Sequence, residues 1–85
     1  MEVKSLFDTA VEESKNLKQQ PSKETLLQLY SLYKQSTVGD VNVESPSNPF
    51  DFVAKAKYEA WAGLRGTSSE DAQQQYSKLV EKLKG

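Results

Sequence analysis

The sequence predicts an all-α fold of four helices, and three observations carry that reading. Apolar residues recur every three or four positions in four segments, a cap residue heads three of those segments, and no stretch alternates apolar and polar residues as a strand would. In residues 3 to 17, Val3, Leu6, Phe7, Ala10, Val11 and Leu17 form one stripe and define the first helix. Pro21 and Ser22 break the chain and restart it. Ser22 is a suitable N-cap, and helix two is expected to run to about Ser36, with apolar residues beginning at Leu26. From Thr37 to Phe50 the turn formers Gly39, Asp40, Asn42, Pro46, Ser47, Asn48 and Pro49 exclude a regular helix. So long a connection is expected to span the bundle instead of closing a hairpin. Asp51 caps a third helix carrying Phe52, Ala56, Ala60, Trp61 and Leu64, with Gly66 just past its end as a left-handed terminator. Ser68 and Asp71 resemble a capping box, after which Ala72, Tyr76, Leu79, Val80 and Leu83 share one face.

Composition narrows the function. The 85 residues are expected to form one domain, because a second core could not bury enough surface at that size. The chain has no cysteine and no histidine. That removes disulfides, thiol nucleophiles, histidine general bases and the usual zinc sites. With 11 basic and 12 acidic side chains the net charge is −1, too little to gather nucleic acid or an anionic membrane, so any anion must be bound locally. No run of signal-peptide length and no 18 consecutive apolar residues occur, which points to a freely soluble cytosolic chain. Neither GxxxxGK[ST] nor GxGxxG is present. No cofactor is expected, and any phosphate would be held by side chains instead of a glycine-rich backbone cradle.

Two helices carry more than a core needs. On a wheel, the apolar and aromatic residues of helix two spread over roughly 220°, where a one-sided helix needs about 100°. Either helix two packs on several neighbours, or it serves two surfaces: Leu29 and Leu32 face the bundle while Leu26, Leu27, Tyr30 and Lys34 line something else. In helix three, Lys57 falls inside the apolar stripe, about 140° from Phe52. An unpaired buried ammonium costs several kcal/mol, so Lys57 must snorkel outward, pair with a carboxylate or meet an anion that a ligand brings. Tyr76, mid-stripe in helix four, reads as a core aromatic whose hydroxyl finds a backbone partner. Lys15, beside Val11 at the edge of helix one's stripe, reads as a solvated charge covering apolar surface. Tyrosine faces and lysines on different helices are also the parts of a pocket for a phosphorylated purine, with a ring against the base and ammonium groups on phosphates.

The segments LYSLYKQSTVGD, KAKYEAW, LRGTSSEDA and YSKLVEKLK, in this order and spacing, closely resemble the acyl-CoA-binding protein family over nearly the whole chain. The resemblance implies a four-helix bundle of up-down-down-up topology, in which one long crossover between helices 2 and 3 lets two neighbouring helices run parallel. It implies a non-catalytic carrier of medium- to long-chain fatty acyl-CoA esters, with the acyl chain shielded between helices and the CoA head across the opening. Matched by position, Tyr30, Lys34 and Lys57 correspond to family residues around the ribose 3′-phosphate and Tyr33 to the aromatic stacked on adenine. Tyr76 corresponds to a further head-group tyrosine and Lys15 to a helix-one lysine near the head. Val11, Leu26 and Leu27 correspond to the apolar wall beside the acyl chain. A monomer is implied, with passing contacts to donor or acceptor membranes and enzymes. Two departures stand out: Tyr58 where the family commonly has Trp, and the longer SPSNPF where its crossover usually reads basic residue, Pro, Gly.

Two other classes compete. One is a helical interaction module without a small ligand, docking a partner helix on the wide face of helix two. The other is an acyl-CoA hydrolase using Ser31 or Ser36, for which the sequence offers no nucleophile elbow and no base at meaningful spacing.

Overall fold

Side chains that cap backbone groups start three of the four helices. The computed structural model describes residues 3–84, Val3 by its backbone alone, so the side chain of that first stripe position lies outside the described residues. Within them the helices are α1 (Val3–Ser14), α2 (Lys23–Thr37), α3 (Phe52–Ala62) and α4 (Ser69–Lys84), with no strand. The Ser22 hydroxyl accepts the Thr25 N–H at 3.2 Å, Asp51 Oδ1 accepts the Ala54 N–H at 3.1 Å, and the Ser68 hydroxyl accepts the Asp71 N–H at 3.0 Å. Each such cap is worth about 1 kcal/mol. α4 also places Glu70 and Asp71 in its first turn and Lys82 and Lys84 in its last, both signs suited to the helix dipole.

Two boundaries differ from the periodicity. α1 stops at Ser14 although Leu17 keeps the apolar spacing, because polar side chains take its last carbonyls: Ser14 Oγ donates to Val11 O at 2.7 Å and Asn16 Nδ2 to Glu12 O at 3.2 Å. α3 ends at Ala62, followed by a tight turn with Leu64 N–H on Trp61 O and Arg65 N–H on Ala62 O. Gly66, with φ of 93°, is left-handed as expected but closes that turn instead of the helix itself.

Pairings across the bundle give the topology. Lys84, in the last turn of α4, bonds Glu13 at 2.7 Å near the end of α1, so α1 and α4 run parallel. The Glu13 carboxylate also holds the Lys84 ammonium above its usual titration range. Ser69 Oγ, at the start of α4, donates to Ser36 O near the end of α2 at 2.6 Å, so these two are antiparallel. The Trp61 indole N–H, late in α3, reaches Gly39 O just beyond α2 at 2.8 Å, while Lys57 lies over Tyr30, so α2 and α3 are parallel. The order is up-down-down-up, and the long connection between α2 and α3 returns the chain along the fold.

In space the helices lie in the row α1, α4, α2, α3. Ala72, Tyr76 and Val80 of α4 are buried between Phe7 and Ala10 of α1 and Leu29 and Leu32 of α2, with Val11, Leu64, Leu79 and Leu83 packed around them. Part of the wide arc of α2 is explained by packing on two neighbours, α4 and α3, while Leu26 at its head stays 39% exposed. Two stripes are less covered than expected. Leu6 of α1 is exposed, and among α3 residues only Trp61 is buried, while Phe52 and Val53 are 73% and 65% exposed.

Candidate functional site

The parallel pair α2 and α3 leaves a groove between its N-terminal halves. Its volume is about 370 Å³, and Lys23, Leu26, Leu27, Tyr30, Phe52, Val53, Ala56 and Lys57 line it. A second cavity of about 190 Å³ lies under the crossover, lined by Tyr30, Val43, Glu44, Pro46, Ala54, Lys57, Tyr58 and Trp61. Tyr30 and Lys57 belong to both, so an apolar slot and a more polar recess meet at one ring and one ammonium.

Two lysines, Lys57 in the groove and Lys34 outside both cavities, sit on aromatic faces. Lys57 Nζ is 5.3 Å from the centre of the Tyr30 ring and Lys34 Nζ 5.4 Å from that of Trp61. At exposed sites such contacts are worth about 0.5–1 kcal/mol. Among the described residues neither ammonium has a carboxylate within ion-pair distance. Of the three outcomes open to Lys57, the ion pair is therefore excluded there; the side chain reaches outward, is exposed, and remains available to an anion.

Tyr33 is on the opposite edge of α2, 42% exposed, its ring stacked on Phe7 at 6.1 Å and tilted against Tyr76 at 6.4 Å. One side is supported by two rings while the remainder is open. Tyr76 is 4% exposed, edge-on to Phe7 at 5.2 Å, and its hydroxyl donates to Ser14 Oγ at 3.1 Å, a side-chain partner where a backbone one was expected. Lys15 is exposed just beyond α1, 4.0 Å from Glu12, and Val11 packs on the core cluster. The structure thus unites Leu26, Leu27, Tyr30 and Lys57 in one groove, sets Lys34 one turn further along α2, and gathers Tyr33 with Tyr76. Lys15 and Val11 line neither cavity.

The junction after α2 holds these parts in place. Gly39, with φ of 98°, turns the chain so that its carbonyl meets the Trp61 indole. Asp40 Oδ1 accepts Gln35 Nε2 at 2.8 Å and the Gly66 N–H at 3.0 Å, and Gln35 Nε2 also donates to Thr67 O at 2.8 Å. The ends of α2 and α3 and the turn into α4 are tied at this point. The Gly66 N–H, then the Gln35 amide and the Arg65 charge, hold the Asp40 carboxyl below the ordinary aspartate value, against a partly opposing desolvation. A carboxyl depressed on folding stabilises fully above its unfolded value, and that contribution is lost as pH falls through the folded value. Asp40→Asn is accordingly expected to flatten the acid limb of the stability curve. Urea midpoints followed from neutral pH into the aspartate range would check it, an unchanged acid limb counting against the network.

Sequence reasoning did not find Val43, Glu44, Pro46 or Tyr58 as walls of the recess, nor the exposure of Phe52 and Val53. Irregular segments have no periodicity to read. The one available signal was the density of prolines, which marks a loop that crosses something.

These features define a class: a small all-α module with an apolar slot bordered by Lys57, which lies on an aromatic face and has no carboxylate partner among the described residues. The family model described as acyl CoA binding protein matches residues 4–80. The acyl-CoA-binding protein of Dictyostelium discoideum is 47% identical over 77 residues, covering 91% of this chain and 90% of its own. Acyl-CoA-binding protein homolog 1 of Caenorhabditis elegans is also 47% identical over 77 residues, with 91% and 88% covered. The crystal structure of acyl-CoA-binding protein 2 of Oryza sativa superposes with a TM-score of 0.88 at 36% identity, over 95% of this chain and 89% of that one. The chain belongs to the acyl-CoA-binding protein family. No helix among the described residues is long and apolar enough to cross a membrane.

Proposed function

We propose that this chain is a non-catalytic carrier of medium- to long-chain acyl-CoA esters. The observation that carries the reading is the meeting of the apolar slot and the recess at Tyr30 and Lys57, which suits a ligand with an apolar tail and a phosphorylated head. The slot's volume, about 370 Å³, is in the usual range of small-molecule sites. In this reading Lys34, Lys57 and the Tyr30 hydroxyl take the ribose 3′-phosphate, and the supported ring of Tyr33 takes the adenine. Tyr76 backs Tyr33, Lys15 lies towards the remaining phosphates, and Leu26, Leu27 and Val11 belong to the wall along the acyl chain. The chain acts as one domain, as a cytosolic monomer that exchanges its ester with membranes and enzymes.

Calorimetric titration with dodecanoyl-CoA below its micelle threshold, beside free CoA and free dodecanoate, tests this directly. One-to-one binding of the ester, much tighter than of either part, is expected; absence of heat for all three would leave a fold without this ligand. Each buried methylene adds up to ~0.8 kcal/mol, so two further carbons should raise affinity by about fifteenfold at most until the slot is full. A flat response to chain length would count against the slot as the acyl site.

The exposed Phe52, Val53 and Leu26 also suit a partner helix lying on the same face. That reading predicts no binding of CoA esters and only a modest effect of Lys57→Ala on the partner.

A further inference from the structure

The crossover carries the one Ser/Thr-Pro dipeptide of the chain, Ser45-Pro46. Ser45 is exposed and Pro46 half-buried. The residue before a proline is held towards extended backbone, a conformation in which protein kinases accept a hydroxyl. Its two chain neighbours, Glu44 and Pro46, both line the recess that contains Lys57 and Tyr30. Ser45 is therefore a solvent-open hydroxyl at the edge of the site where the proposed ligand presents a phosphate.

We propose that Ser45 is a phosphorylation site, and that phosphoserine there competes with the ligand's phosphate for Lys57. The second half rests on the functional reading above. The modification is made by a proline-directed kinase with a nucleoside triphosphate. The Ser45 oxygen bonds the γ-phosphorus as the bond to the β–γ bridging oxygen breaks, the nucleoside diphosphate leaves, and the hydroxyl proton passes to the kinase's base.

The consequence follows from charge. Phosphoserine carries about −1.5 to −2 at neutral pH and three strong acceptor oxygens. Lys57 has no carboxylate partner among the described residues and rests only on the Tyr30 ring at 5.3 Å. A phosphate on Ser45, tethered beside the recess between two residues of its wall, would reach that ammonium at raised effective concentration. It also repels an incoming phosphate, adding to the charge of Glu44 in the same wall. The crossover would then be pinned over the recess by the same pair.

Two preparations test this. The full chain and Ser45→Ala are incubated with a proline-directed kinase and ATP and weighed by mass spectrometry; one phosphate is expected, absent in Ser45→Ala. No phosphate on the unaltered chain, or an equal gain in Ser45→Ala, overturns the site. Chains with phosphoserine installed at position 45 during synthesis, with and without Lys57→Met, are titrated by phosphorus NMR. The phosphate's second ionisation is expected at lower pH when Lys57 is present, and equal titration in both chains overturns the pairing whether or not esters bind. Calorimetry with dodecanoyl-CoA should show a loss of at least about tenfold on phosphorylation, the size of one charge-assisted phosphate contact. Unchanged ester affinity overturns the competition. An unmodified chain that binds no ester overturns the proposed function and the competition with it, while the phosphorus titration still decides the phosphoserine–Lys57 pair.

Discussion

Lys57→Ala is expected to weaken dodecanoyl-CoA binding by about ten- to hundredfold while leaving the unfolding midpoint nearly unchanged. The two halves have one cause. The ammonium is exposed and has no carboxylate to lose among the described residues, so its removal from the free chain costs little, as for most surface substitutions. Against a phosphate the same group makes a charge-assisted hydrogen bond worth roughly 1.5–3 kcal/mol. Free CoA should lose the same factor and free dodecanoate none, which assigns the effect to the head. Undiminished ester binding in Lys57→Ala would sink the assignment. Equal losses for the ester and for dodecanoate would move Lys57 to the acyl side.

Trp61→Ala is expected to cost about 3–5 kcal/mol, a large part of what a chain of this size has to lose. Trp61 is 4% exposed and the only buried residue of α3. It anchors the helix by packing and by its indole N–H on Gly39 O, and it provides the face beneath Lys34. Trp61→Phe separates the parts: most of the packing survives, while the Gly39 carbonyl loses its donor, for about 1 kcal/mol. Urea unfolding followed by circular dichroism reads both variants. A loss below about 1 kcal/mol in Trp61→Ala would mean that α3 is held by other contacts.

Much of the fold was legible because helical stripes and caps are local. Ser22 and Asp51 cap the helices that they were expected to cap, and Leu29 and Leu32 face inward while Leu26, Leu27 and Tyr30 border a groove. What failed was non-local or competitive. A wheel says which residues share a face, not whether anything covers it, so Phe52 and Val53 joined a stripe that lies open. Leu17 kept the spacing of α1 after Ser14 and Asn16 had already taken its carbonyls. Gln35 was given no role in the sequence, yet it is almost fully buried, and the carbonyl that it bonds, that of Thr67, is 32 residues away where no local pattern reaches. The wheel had set Tyr30 and Lys34 on the outer side of α2, but the roles of the lysines and tyrosines came from the resemblance; periodicity alone left Lys57 with three outcomes and Tyr33 without a role.

The row of helices makes cooperativity uneven. α1 packs along α4, touches α2 through Phe7 on Tyr33 and gives Phe7 and Ala10 to the core, whereas α3 packs on α2 alone and buries only Trp61. Sub-global opening of α3 with its crossover exposes one buried side chain, Trp61, against three in α4, so its amides should exchange with solvent at a lower free energy than those of α4. Anything bound between α2 and α3 fastens this outlying unit to the rest and slows that exchange by mass action. Slower exchange of the α3 amides with dodecanoyl-CoA present, those of α1 and α4 unchanged, would report a ligand seated there.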